Sequence, residues 1–125
     1  MSSKMNLINH TQKKIIGPVE FADSFFSRFR GLMLKTKIES GLVLKIPAGR
    51  GKRGSAIHMF FMRMPLDVIF ADKNKQVVDM VSLEPWKTYT PKAPARYVIE
   101  LEKGILEKTK VSRGDRLEFK KIVIN

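Results

Sequence analysis

Apolar residues recur along this chain in short runs separated by turn formers. The densest stretch, residues 56–83, reads AIHMFFMRMPLDVIFADKNKQVVDMVSL. Three runs divide it, at 57–62, 67–71 and 76–81. Pro65 separates the first two, since it lacks an N–H and fixes its own φ. Asp72-Lys73-Asn74-Lys75 separates the other two and has hairpin-turn chemistry, with Asn74 expected in the left-handed conformation. Runs this short, β-branched and aromatic predict strands, not helix. Apolar residues fall on both phases of the alternation, so the three strands are expected to be central and covered on both faces.

The pattern continues on either side. A first strand is expected over 5–9, a turn over 10–13, and a short strand at Ile15-Ile16 that ends before Gly17-Pro18. Ser24 then N-caps a helix over 24–34, in which Phe25, Phe26, Phe29, Leu32 and Met33 form one apolar stripe at helical spacing. Further strands are expected over 41–46, 97–101 and 116–124, with a helical turn over 104–108 and a turn at Gly114-Asp115. Many short strands with turn signals between them predict a mainly β fold, a small barrel or sandwich of largely antiparallel strands. The helix of the N-terminal half is expected to pack across it.

A chain of 125 residues, 43% of them hydrophobic, suits one domain over 1–125 with its own core, residues 1–4 being unstructured. No apolar run is long enough to span a bilayer, and the first residues lack the apolar centre of a signal peptide. The chain has no cysteine, which removes disulfides, thiolate nucleophiles and cysteine metal sites. A cytoplasmic location is the default expectation. Charge changes the picture more. Lys and Arg number 24 against 12 Asp and Glu, a net charge of +12. Such an excess suits either a well-solvated surface or a polyanionic partner.

Candidate chemistry is sparse. The glycine-rich loop Gly49-Arg50-Gly51-Lys52-Arg53-Gly54-Ser55 does not match the phosphate-loop pattern and precedes a strand, not a helix. It reads as a solvated basic loop, with Arg50, Lys52 and Arg53 as nucleic-acid-backbone contacts in the alternative reading. Met33, His58, Met59, Met62 and Met64 could be soft-metal ligands, but methionine is a common core filler and strand alternation separates His58 and Met62 from Met59. No metal or cofactor is expected. Asp67 and Glu100 lie within apolar runs and are expected to be partly buried, pairing with arginines or capping turn N–H groups. An enzyme reading would make one of them a general base beside Arg28 or Arg30. No triad, nucleophile elbow or metal spacing supports it, and no catalytic residue is assigned. Trp86, in a proline-bounded loop, could line a pocket. The leading expectation is a non-enzymatic module binding a small molecule or protein through Arg28, Arg30, Asp67, Trp86 and Glu100. Weak, sequence-indifferent nucleic-acid binding is the rival.

Taken in order, several motifs resemble the DUF192 family of uncharacterised prokaryotic proteins. They are Arg28-Phe29-Arg30-Gly31-Leu32-Met33, Gly41-Leu42-Val43-Leu44, Ile57-His58-Met59-Phe60-Phe61-Met62, Pro65-Leu66-Asp67-Val68-Ile69-Phe70, Pro85-Trp86, Val98-Ile99-Glu100-Leu101 and Gly114-Asp115. The resemblance runs from about Val19 onward, and the 58–62 and Pro85-Trp86 versions look most like archaeal members. It implies a compact, mainly β domain with one helix. It implies no established activity, substrate or cofactor, so Arg28, Arg30, Asp67 and Glu100 carry over only as pattern positions. The basic residues Arg50 to Arg53 lie outside that pattern. Family members often carry an export or anchor segment, and none is expected here.

Overall fold

The structure, a computed structural model, describes residues 4–22, 40–49, 51–59 and 62–122. The expected helix over 24–34, with Arg28 and Arg30, lies outside these residues, as does Arg50. The strands are β1 (Lys4–Asn9), β2 (Lys14–Phe21), β3 (Gly41–Lys45), β4 (Ile57–His58), β5 (Leu66–Ala71), β6 (Val77–Leu83), β7 (Thr88–Tyr89), β8 (Tyr97–Glu102) and β9 (Leu117–Lys121). A short helix, α1 (Ile105–Thr109), follows β8, and a 3-10 turn (Lys52–Ser55) precedes β4. Strand β1 begins at Lys4, inside the stretch expected to be unstructured.

Seven strands form one mixed sheet in the order β6-β5-β8-β3-β2-β1-β9, while β4 and β7 form a separate two-stranded ribbon. Every neighbouring pair in the large sheet is antiparallel except β2 and β3. The edge strands β6 and β9 meet at one end through the antiparallel bridge Gln76↔Arg116. Backbone bonds from Val77 N–H to Asp115 C=O and from Gly114 N–H to Val77 C=O, both 2.8 Å, reinforce it. First and last strands of so wide a sheet can touch only if it coils. They do not pair along their length, so the sheet is mixed and is not closed into a barrel. The mainly β class and the short strands agree with expectation.

Coiling sorts the core. One cluster takes side chains from all seven strands: Leu7, Val19, Val43, Ile69, Ile99, Val77 and Leu117 among them, with Ile105 and Leu106 of α1 packed against it. This is the inner face. The outer cluster joins Leu44, Val68, Phe70 and Val98 to Met59, Met62, Met64 and Ala95 from the long connections. Strand β5 lies between β6 and β8 and is buried at all six positions, as its unbroken apolar run predicts.

Three local expectations need correction. The described part of 57–62 is not a central strand: Ile57–His58 pairs with β7 in the ribbon, and Met59 and Met62 are in no strand. The Met59 C=O accepts the N–H groups of Trp86 (2.7 Å) and Met62 (3.2 Å), and its N–H donates to Lys87 C=O (2.6 Å). Those bonds turn the chain where a ladder would have run. Secondly, β2 does not end before Gly17-Pro18. A register shift opposite Gly17 (φ 154°) absorbs the irregularity, and pairing with β3 starts only at Val19, so Pro18 has a strand neighbour on one side. Thirdly, Lys75 (φ 62°), not Asn74, takes the left-handed conformation. The Asp72 carboxylate accepts the N–H groups of Asn74 (2.8 Å) and Gln76 (3.0 Å), which moves the left-handed position to the end of the turn.

Gly41, where β3 enters between β2 and β8, has no room for a side chain. A Cβ there would lie 2.6 Å from Leu101 Cδ2, 3.0 Å from the Glu100 carbonyl oxygen and 3.1 Å from Val19 Cγ1. Gly41→Ala is expected to destabilise the domain by about 1–3 kcal/mol through overpacking. Urea unfolding should show a lower midpoint at unchanged slope, and an unchanged midpoint would refute this account of Gly41.

Candidate functional site

Asp67 is the second residue of the most buried strand and is 1% exposed. Alternation puts its side chain on the inner face with Ile69. Its carboxylate accepts the Gly104 and Leu106 N–H groups, both at 2.9 Å, and the Ser82 hydroxyl at 2.5 Å. Gly104 precedes α1 and provides no side-chain cap of its own, so a distant strand supplies the cap. Asp67 therefore matches the structural expectation of a turn-capping carboxylate. A base at this position would have to give up bonds that hold α1.

Two further buried aspartates are satisfied in the same way. Asp79 of β6 accepts the Tyr89 hydroxyl at 2.6 Å, the Lys92 N–H at 3.0 Å and the Met80 N–H at 2.9 Å, with Arg113 Nη2 at 3.9 Å. Burial alone would push its carboxyl up, but these donors together outweigh burial and hold it below the ordinary carboxylate value. The same bond, with burial, raises the Tyr89 phenol. Asp115, beside the bridge between the sheet edges, accepts from Asn9 Nδ2 (2.8 Å), Gln12 Nε2 (2.7 Å) and Ser112 N–H (2.9 Å). Its carboxyl is also held low: burial opposes ionisation, and the donors prevail. The sequence marks Asp115 only as a turn and motif residue, and Asp79 not as a candidate at all. Asp79 could have been, since a lone carboxylate within Val77-Val78-Asp79-Met80-Val81 signals a buried acceptor as strongly as Asp67 does.

Glu100 is fully buried, in phase with Val98 on the outer face, and Leu42 and Val68 are its cross-strand neighbours. Asp67 and Glu100 thus lie on opposite faces of the sheet, and the two are not brought into one site. Trp86 belongs to the outer side, since its N–H donates to Met59, whose side chain lies in the outer cluster. It occupies the third position of a turn in which Lys87 N–H meets Glu84 C=O at 3.3 Å. Its φ of 71° is one that glycine would suit better, and it is 56% exposed. Lys52 and Arg53 are exposed on the 3-10 turn. Met59, Met62 and Met64 are buried among apolar neighbours, as core fillers are. Among the described residues, no group of three His, Asp or Glu could hold a metal. No helix among them is long and apolar enough to cross a membrane.

Clefts open on the described surface, among them two lined by cations. One, of about 390 Å³, follows the junction of the sheet edges and mixes charges: His10, Lys75 and Arg116 with Glu118. His10 Nδ1 lies 3.6 Å from Glu118 Oε2. The other, of about 120 Å³, is lined by Lys45, Ile46, Lys73, Arg96 and Tyr97, with no carboxylate among these described residues.

Three outcomes are expected from this geometry. Asp67→Ala should cost about 2–4 kcal/mol in chemical unfolding, because two N–H groups lose their acceptor; a cost near zero would refute the capping role. Asp79 and Asp115 have lowered folded-state values, so the stability they confer is present above the ordinary carboxylate value of 3.8 and is lost as pH falls through the folded values. Melting temperature followed from about pH 6 to pH 2 should fall less steeply in Asp79→Asn and Asp115→Asn than in the parent. The chain has two tyrosines. Ultraviolet titration should show a phenol ionising later than the ordinary value of 10.0, and Tyr89→Phe should remove it.

The comparisons bear on the whole sheet. The model of the DUF192 family, described as an uncharacterized ACR, matches residues 7–119. A UPF0127 protein of Pyrococcus furiosus, PF1050, is 42% identical over 118 residues, which cover 94% of this chain and 100% of that protein. A UPF0127 protein of Thermococcus sibiricus is 41% identical over 114 residues, 90% of this chain and 73% of its own length. Among solved structures, a protein from Sinorhizobium meliloti 1021, provisionally labelled a transcription regulator, superimposes with a TM-score of 0.79 at 24% identity. That match covers 95% of this chain and 94% of the other. A protein of unknown function from Novosphingobium aromaticivorans gives 0.73 at 19% identity, covering 94% and 84%. At such identities the structures speak for the fold alone. Family model and archaeal relatives agree with the motifs read from the sequence: this chain belongs to the DUF192 family.

Proposed function

We propose that this domain is a non-enzymatic binding module and that its partner is anionic. The observation that carries the reading is how the acids are used. The chain has 24 Lys and Arg against 12 Asp and Glu. Asp67, Asp79 and Asp115 are buried and bonded mainly to backbone N–H, hydroxyl and amide donors of their own fold. They do little to neutralise surface lysines and arginines, so the cationic field facing solvent is stronger than the composition alone implies. An enzyme reading through Asp67 is disfavoured, because its carboxylate already accepts three bonds inside the fold. Lys52 and Arg53, with Arg50 close to them in sequence, are assigned to phosphate contacts, and exposed Trp86 to stacking. Asp67 leaves the candidate ligand set, and Glu100, buried, is given no direct contact with an anion. Arg28 and Arg30 stay in it as cations suited to the same chemistry.

Fluorescence anisotropy with a labelled single-stranded oligonucleotide, repeated at several salt concentrations, tests the reading. Binding is expected to be micromolar or weaker at physiological salt, and to weaken steeply as salt rises. Arg50→Ala, Lys52→Ala and Arg53→Ala combined should flatten the logarithmic salt dependence by up to about three phosphate contacts. Binding indifferent to salt, or no binding to any anion, would overturn it.

A further inference from the structure

We infer that the 120 Å³ cleft lined by Lys45, Lys73 and Arg96 is a binding site for one phosphate group, either free or as the terminal monoester of a small molecule. This deepens the anionic-partner reading and rests on it. Three cationic residues line it from three elements: Lys45 ends β3, Lys73 sits in the β5–β6 turn, and Arg96 immediately precedes β8. Like charges drawn together without a lining carboxylate repel one another, and a bound anion reverses the sign of that interaction.

The cations are held in place by separate means. The Arg96 N–H donates to Ala71 C=O, its C=O accepts Ile46 N–H, and its Nε donates to Ile46 C=O, each at 2.8 Å. The guanidinium is thereby anchored through one N–H, and its Nη groups have no partner among the described residues. That leaves a planar fork, the geometry that binds a phosphate through two parallel bonds. Lys45 Nζ rests 5.4 Å from the centroid of the Phe21 ring. Phe21 packs on Phe119, and Phe119 on Tyr97, with centroids 4.9 and 5.6 Å apart, so an aromatic row links Lys45 to Tyr97 of the cleft. The turn carrying Lys73 is fixed by Asp72, whose Oδ1 accepts its own turn's N–H groups at 2.8 and 3.0 Å. The volume is well below the roughly 300–1,000 Å³ of sites that enclose drug-sized ligands. It suits a tetrahedral oxyanion with the remainder of its ligand outside. The larger cleft offers no such field, because Glu118 lines it and lies against His10.

Amide chemical shifts of the full chain, titrated with inorganic phosphate and separately with methyl phosphate against sodium chloride at matched ionic strength, test the inference. Saturable shifts are expected at Lys45, Ile46, Lys73, Arg96 and Tyr97. Saturation by both phosphates points to a monoester site, and by inorganic phosphate alone to the free ion. Lys73→Gln, in a turn that Asp72 holds, should keep the spectrum and weaken phosphate by about tenfold. Arg96→Lys should weaken it similarly while conserving charge, since the fork is lost. Unchanged phosphate affinity in Lys73→Gln would overturn the site. So would shifts confined to Lys52 and Arg53, although the anionic-partner reading would then survive. A response to phosphate no different from chloride, with no oligonucleotide binding, would remove both.

Discussion

The bond set at Asp67 is the constraint on which most of this architecture depends. A carboxylate placed in a fully buried strand is costly unless donors meet it. Here the donors come from the first turn of α1 and from Ser82 of the neighbouring strand. The arrangement fixes where α1 sits, with Ile105 and Leu106 against the inner cluster. It also resolves a problem of the helix itself, which begins at a glycine without a side-chain cap. Strand and helix each satisfy the other's unmet groups.

Around that point the sheet coils until β6 and β9 touch. Asp115 anchors the junction: its backbone C=O accepts Val77 N–H of β6, while its carboxylate gathers Asn9, Gln12 and Ser112. One residue thus ties the β1–β2 turn, the chain entering β9 and the far edge of the sheet. The remaining lengths of the edges stay unpaired with each other, and the inner cluster is sealed at that end by hydrogen bonds and by packing elsewhere. The Asp79–Tyr89 bond performs a similar task outside, joining β6 to the ribbon that carries the Trp86 turn.

This use of acids has an electrostatic consequence. Carboxylates that serve as internal acceptors are unavailable to the surface, where lysine and arginine dominate. The cleft at Arg96 is the local expression of that imbalance, and the Lys52–Arg53 turn is the exposed one.

By itself the sequence determined the mainly β class, the family and the withdrawal of Asp67 and Glu100 from the surface, because alternation, turn formers and motif order are local properties. Strands β1, β3, β5, β6, β8 and β9 each overlap a stretch that its apolar pattern marks. The run 57–62 misled because its composition suits a strand, whereas the bonds of Met59 to Trp86 and Lys87 belong to a distant turn. The left-handed residue of the β5–β6 turn moved from Asn74 to Lys75 when the Asp72 side chain chose its partners. Only tertiary structure could put Asp67 and Glu100 on opposite faces, join β6 to β9, and bring Lys45, Lys73 and Arg96 to one cleft. Those residues lie far apart along the chain: the pairing of β3 and β5 on either side of β8 sets the first and last of these arrangements, and the coil of the sheet sets the second, none of which a local pattern encodes.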